Sequence, residues 1–272
     1  MLAKIFISIV RLSPGFQKAM WKWWYQRLAH RGNGTGWSFM NYGYTPLNDT
    51  SQIELKKEDE SNRLFIQLYH YVATQSPIRG KHALEIGSGR GGGASFLARY
   101  HNPSHMTGLD YSTKAVKLSI NLHKEVHNLQ FVKGDAESLP FDDKSFDAVI
   151  NVESSHCYGN MAAFVKEAAR VLKPGGYLSW VDLRGEEMLS DTESAFNIPE
   201  LNCIYEETIT PQVLQALDDI HERKMEMIDL HVPKFLQPAF RDFSGVRNSK
   251  IYNAFKDGSA VYLAKGYQKI SN

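Results

Sequence analysis

The sequence predicts an α/β fold: a mostly parallel seven-stranded sheet with helices on both faces, preceded by a helical N-terminal cap. Three observations carry this reading. Short apolar runs alternate with amphipathic helical stretches from residue 82 onward, the pattern of consecutive βαβ units. A glycine-rich turn, Gly87 to Gly93, follows the first of those runs. An acid, Asp110, closes the second run about 20 residues later.

The composition narrows the function classes. A chain of 272 residues holds one large domain or a core with a cap. A formal charge of +1 leaves no basic stripe, so no nucleic-acid partner is expected. Two cysteines, Cys157 and Cys203, make no disulfide framework, and a reducing cytoplasm is the expected setting. No apolar run approaches the roughly 20 residues that span a bilayer. The short apolar run at Met1 to Val10 has no convincing small-residue cleavage site, so it is not expected to be a signal peptide. The sequence sets no oligomeric state.

Residues 1–75 read as the cap. In 1–30, Phe16, Met20, Trp23, Trp24 and Leu28 share a helical face, with Lys18, Lys22 and Arg27 interleaved. Packing on the core accounts for the stripe. Peripheral contact with a membrane surface accounts for aromatics beside lysines, and the two readings are compatible. Residues 31–60 lack a period, yet Trp37, Phe39, Met40, Tyr42 and Tyr44 need something to pack on. A lid over a ligand and a strap across the core fit equally. Residues 61–75 predict a helix capped by Ser61, with Leu64, Leu68, Tyr71 and Val72 as its apolar stripe.

Residues 76–272 read as the core. Strands are predicted over 82–87, 106–110, 129–133, 146–152 and 177–182, and helices over 92–100, 113–126 and 161–172. Residues 185–240 read as a substrate-cap insertion. It holds a helix over 186–196, a strand over 203–209, and one long helix opened by Thr210 as cap and Pro211. A helix over 249–255 and a strand over 259–268 complete the chain.

The chemistry-bearing motifs fall at carboxyl ends of strands, where such sheets bind ligands. Gly87, Gly89 and Gly92 satisfy the dinucleotide spacing G-x-G-x-x-G, which makes the core Rossmann-like and a dehydrogenase the first expectation. Glu85 in the strand and the crowded Gly91, Gly92 and Gly93 point elsewhere. Asp110 can accept both hydroxyls of a ribose. Asp135 can accept an adenine amino group while the Ala136 N–H donates to the ring. LPFDDKSFDAVI forms a polar turn into strand four, and LKPGG ends a helix before strand five. No Tyr–Lys or His constellation suits a nicotinamide, and no metal-ligand spacing occurs; Asp142-Asp143 reads as a polar turn.

Glu-x-Gly-x-Gly-x-Gly at 85–91, with those motifs in that order, resembles the class I S-adenosylmethionine (SAM) methyltransferases. The resemblance implies SAM as cofactor, S-adenosylhomocysteine (SAH) as product and no metal. It places Gly87, Ser88 and Gly89 against the methionyl part, and Glu85 near the methionyl amine or holding the turn. Tyr69 would reach the SAM carboxylate. Asp110, Tyr111, Asp135, Ala136, Glu137 and Asn151 complete the expected cofactor site, with Tyr42 and His70 as second-rank candidates. NRLFIQLYHYVATQ, GGGASFLARY, GDAESLPFDDKSFDAVINVESSHCY and VLKPGGYLSWVDLR are similar to the phthiotriolone/phenolphthiotriolone dimycocerosates methyltransferases, which O-methylate long lipid diols. The likeness runs from about residue 21 to the C-terminus. It implies a bulky lipid- or polyketide-like acceptor, methylated on a hydroxyl.

An alcohol must lose a proton as it is methylated, and a general base contributes about 10²–10⁴-fold. The candidates follow strand four in Asn151-Val152-Glu153-Ser154-Ser155-His156. His156 is the expected base, because imidazole titrates near neutrality. Glu153 orients it, acts itself, or fixes a substrate hydroxyl. A structural role for both residues is the competing account. His101, His123 and His127 read as helical or loop surface. The alternative reactions are SAM-dependent C-methylation of a sterol-, quinone- or prenyl-type acceptor, NAD-linked oxidation, and SAM binding without catalysis.

Overall fold

The computed structural model describes residues 38–48, 52–232, 234 and 237–270. The aromatic–lysine stretch of 1–30 and Trp37 lie outside the described residues. The elements run α1 (Arg63–Thr74), β1 (His82–Ile86), α2 (Gly92–Tyr100), β2 (His105–Asp110), α3 (Thr113–Leu122), β3 (Leu129–Lys133), β4 (Phe146–Val152), α4 (Met161–Val171), β5 (Leu172–Gly185), α5 (Glu186–Phe196), β6 (Leu201–Thr208), α6 (Thr210–Asp219), α7 (His221–His231), α8 (Gln237–Ser244), α9 (Lys250–Asp257) and β7 (Ala260–Lys269).

The seven strands form one sheet in the order β3-β2-β1-β4-β5-β7-β6. β1 to β5 run parallel, and β7 is antiparallel to both β5 and β6. The strand order reverses between β1 and β4, so their carboxyl ends flank the crevice where ligands enter such sheets. Gly87 leaves one end and Glu153 the other. The strands that build this crevice are mostly apolar, as burial on both faces requires. Ala83, Leu84 and Ile86 of β1 and Ala148, Val149 and Ile150 of β4 are fully buried. Glu85 stands among them, paired in register with Gly108 and Ile150.

Several helix starts follow the ordinary capping rule. Ser112 and Asn160 accept the Ala115 and Ala163 amides at the starts of α3 and α4. Ser249 caps α9 through the Tyr252 amide. Others act differently. Ser61 does not cap α1, which begins at Arg63 behind a short 3-10 turn. Thr210 is not the cap of α6; its hydroxyl accepts the Tyr262 amide of β7 and ties the helix to the sheet. The long helix expected after Pro211 is two, broken at Ile220 (φ −100°, ψ 3°). β5 starts at Leu172, before the predicted turn. Its register with β4 jumps from Leu172 to Tyr177, and Gly175 takes φ +74° inside that bulge. Residues 185–240 supply the edge strand β6 as well as α5 to α8.

Segment 38–45 crosses the mouth of the crevice as a strap. The Tyr44 and Thr45 amides donate to the Leu64 and Gln212 carbonyls, and the Thr45 hydroxyl donates to Asp219. Tyr42 packs edge-on against Phe255, and Phe39 stacks on Phe65 with centroids 6.3 Å apart. One glycine is needed here for space: a Cβ on Gly93 would run into the Tyr69 ring. Gly93→Ala is therefore expected to displace Tyr69 and to lower stability by about 1–3 kcal/mol through overpacking. Chemical denaturation of the variant checks this, and an unchanged midpoint would contradict the packing.

Candidate functional site

The cofactor side is built on the glycine turn. Gly87 adopts φ +78°, and a Cβ there would meet the Ser154 and Tyr158 hydroxyls, so only glycine fits. The Gly89 and Ser112 amides donate to the two oxygens of Asp110, each at 2.8 Å. This pins the carboxylate at the end of β2, with lone pairs left for two further hydroxyls. Burial pushes the Asp110 carboxyl up to about 6, against those two amides. The Tyr69 hydroxyl donates to Glu85 at 2.7 Å beneath the turn. Burial pushes Glu85 up to about 7, although Tyr69 and the Ala94 amide favour the anion.

The other predicted cofactor residues ring the same crevice. Asn151 donates to the Ile86 carbonyl at 2.9 Å and to the Ser154 and Tyr158 hydroxyls. Its Oδ1, like the Ser88 hydroxyl, is buried without a protein partner, so the turn carries polar atoms shaped to meet a ligand. Asp135 accepts the Glu137 amide at 3.0 Å, and Ala136 is buried beside it. The Glu137 carboxylate receives the Gly159 amide at 2.8 Å, which bridges the ends of β3 and β4. Tyr111 is exposed at the rim. Three histidines behave differently from expectation, whereas His127 is exposed as expected. His70 turns away to His101, 3.3 Å off. His101 and His123 are half-buried; the His123 ring meets the Arg90 carbonyl under the glycine turn.

The acceptor side follows β4. Glu153 takes φ +46°, a left-handed geometry that costs a non-glycine residue of order 1–3 kcal/mol. It is held there because its amide donates to Val181, while its carboxylate accepts the Tyr42 amide at 2.7 Å and the Tyr262 hydroxyl. Glu153 thus joins strap, β4 and β7. Burial pushes its carboxyl up to about 7, against the Tyr262 and Tyr42 donors and His156.

His156 sits on the turn after β4, with Nδ1 2.8 Å from Asp182 Oδ1. Burial disfavours the imidazolium, but Cys157 and Asp182 outweigh it, and the imidazole pKa stands well above its ordinary value. Asp182 is fully buried. Its second oxygen accepts the His156 amide at 2.9 Å and the Ser155 hydroxyl at 2.6 Å, with Arg184 Nη1 at 3.2 Å. Burial opposes the charge, but His156 and Arg184 hold the carboxyl well below the usual range. Arg184 also donates to Ser155 at 2.6 Å and to Thr192 at 2.8 Å, and lies over the Trp180 ring. Both predicted acceptor-side residues therefore meet in one place. Asp182, Arg184, Tyr42 and Tyr262 complete it. Asp182 ends the predicted strand five, so the carboxyl-end rule already pointed to it; Arg184 and Tyr262 carried no such signal.

The arrangement suits a nucleotide-bearing cofactor on one side and proton transfer on the other. Residues 84–180 match the model of the methyltransferase domain family. The chain is 37% identical over 252 residues to the phthiotriol/phenolphthiotriol dimycocerosates methyltransferase of Mycobacterium leprae (strain TN), covering 93% of each chain. It is also 37% identical over 224 residues to the fatty-acid O-methyltransferase of Mycolicibacterium smegmatis, covering 82% of this chain and 80% of that one. The putative sarcosine dimethylglycine methyltransferase of Galdieria sulphuraria shares the fold at TM-score 0.72 and 14% identity, covering 90% of this chain and 98% of that one.

The geometry generates two expectations. Asp110→Ala removes the anchored carboxylate and should weaken SAM binding more than tenfold, about 1.4 kcal/mol, measured by calorimetric titration. Asp182→Asn leaves the Arg184 cation buried without its charge partner. It should lower unfolding free energy by about 3–5 kcal/mol, measured by urea denaturation. The Asp110 cradle, the orphaned polar atoms of the turn and the full-length relatives agree, and the chain belongs to the phthiotriol/phenolphthiotriol dimycocerosates methyltransferase family of SAM-dependent methyltransferases.

Proposed function

We propose that the enzyme methylates a hydroxyl oxygen of a bulky lipid- or polyketide-like acceptor. The supporting observation is the His156–Asp182 pair at the mouth of the β1/β4 crevice. SAM, when bound, supplies a methyl group already activated by a sulfonium. Glu85, Gly87, Ser88, Gly89, Asp110, Asp135 and Asn151 would hold it, with Tyr69 bracing Glu85 beneath the turn. His156 takes the acceptor's proton, and Asp182 keeps the imidazole in one orientation with Nδ1 occupied. The strap, with α6 to α8, excludes water over the site.

Residues 38–48 and α6 to α8 act as the substrate cap in this reading. The aromatic–lysine stretch of residues 16–28 meets a membrane surface from the cytoplasmic side. No helix among the described residues is long and apolar enough to cross a membrane. Glu153 favours a second reaction, C-methylation of an electron-rich acceptor, because a carboxylate can stabilise a developing cation.

His156→Ala should lower turnover of long-chain diols about 10²–10⁴-fold and leave SAM affinity unchanged. Near-normal turnover would remove His156 as the base. Product analysis by mass spectrometry separates methyl ethers from C-methylated products. The pH profile is a further check. A base must be neutral to accept a proton, and His156's pKa lies above its ordinary value. The rate should therefore climb with pH through a point above 6.5, and a profile flat from pH 6 upward would exclude this assignment.

A further inference from the structure

Residues 38–42 of the strap divide their contacts between two neighbours. Phe39 stacks on Phe65 and meets the Tyr69 ring edge-on, with centroids 5.9 Å apart. Asn41 is buried and donates to the Phe65 carbonyl at 3.3 Å. The odd-numbered residues thus fasten the strap to α1. The even-numbered ones reach the crevice, from its cofactor side to its acceptor side. The Ser38 carbonyl lies against Gly92, so that a Cβ there would run into it. Met40 Cε stands 3.3 Å from where a Cβ on Gly89 would be. The Tyr42 amide donates to Glu153 at 2.7 Å.

Met40 is the member of this run that reaches the crevice with its side chain in the open. It is 43% exposed, while its neighbours Phe39 and Asn41 are half-buried and buried. Gly89, beneath it, is the residue whose amide holds Asp110. The thioether therefore stands beside the carboxylate that is placed to take the ribose hydroxyls. An unbranched, polarisable side chain adapts to the surface it meets, and covering it removes apolar area from water. Met40 is also two residues from Tyr42. A contact that fixes Met40 restrains the amide that holds Glu153.

We propose that Met40 packs on the cofactor seated at Asp110, and that this contact fastens the strap and completes the acceptor side through Tyr42. Cofactor and acceptor then favour each other's binding, because a strap ordered by one ligand costs the other less to order. The proposal rests on the cofactor site at Asp110. It is independent of the acceptor's identity and of the role of His156.

The test combines calorimetric titration of the full chain with SAH and amide hydrogen exchange, read by mass spectrometry on the peptide spanning 38–45. The Tyr42, Tyr44 and Thr45 amides in it are hydrogen-bonded when the strap is seated. Saturating SAH should slow their exchange about fivefold or more, the lower end of ordinary coupling. Met40→Ala should bind SAH on the order of tenfold more weakly, and saturating it should leave strap exchange unchanged. Met40→Leu keeps the apolar bulk and should retain most of both effects. Both changes are at a surface residue and leave the fold intact. SAH binding without slower exchange in the unaltered protein overturns the proposal. So does slower exchange that survives in saturated Met40→Ala, or an unchanged affinity in that variant. No SAH binding by the unaltered protein would fail the Asp110 cofactor site itself, and the proposal with it.

Discussion

Asp182 is the charge on which the acceptor side depends. A carboxylate with no exposed surface stays ionised only when its lone pairs and its charge are met. Here His156 and Arg184 meet the charge, while Ser155 and two backbone amides, His156 and Leu183, complete the hydrogen bonds. The Ser155 hydroxyl donates to Asp182 and accepts from Arg184 and the Trp180 indole, so it is fully used. Because every member has a partner, the network fixes the position of the imidazole as well as its charge.

Glu153 does for the cap what Asp182 does for the histidine. Its strained backbone lets one carboxylate reach the strap and β7 together. The cap is joined to the sheet there by a buried acid whose pKa is already near neutrality. On the opposite side Glu85, also raised by burial, ties Tyr69 of α1 beneath the glycine turn. One helix, one strand and a loop (α1, β7 and the strap) are thus anchored on carboxylates in β1 and just past the end of the adjacent β4.

Much of this was legible in the chain. The two-face burial of β1 and β4 showed as short, mostly apolar runs, and short-range caps such as Ser112 and Ser249 obeyed local rules. Local rules failed where a distant partner competed. Thr210 left its helix end for the Tyr262 amide, and Ile220 ended a helix without proline or glycine. His123 looked like surface because it follows the end of α3; the turn it meets comes from 33 residues earlier.

The sequence by itself determined the sheet, its parallel core, the turn between β1 and α2, and the acids at the ends of β2 and β3. Those features are set by periods and spacings within about 20 residues. The tertiary structure alone decided which groups face His156, how the strap seats on Glu153, and that Met40 lies over Gly89. Each of these joins residues 26 to 111 positions apart. Their meeting depends on how β4, β5, β7 and α1 stack, which no local pattern encodes.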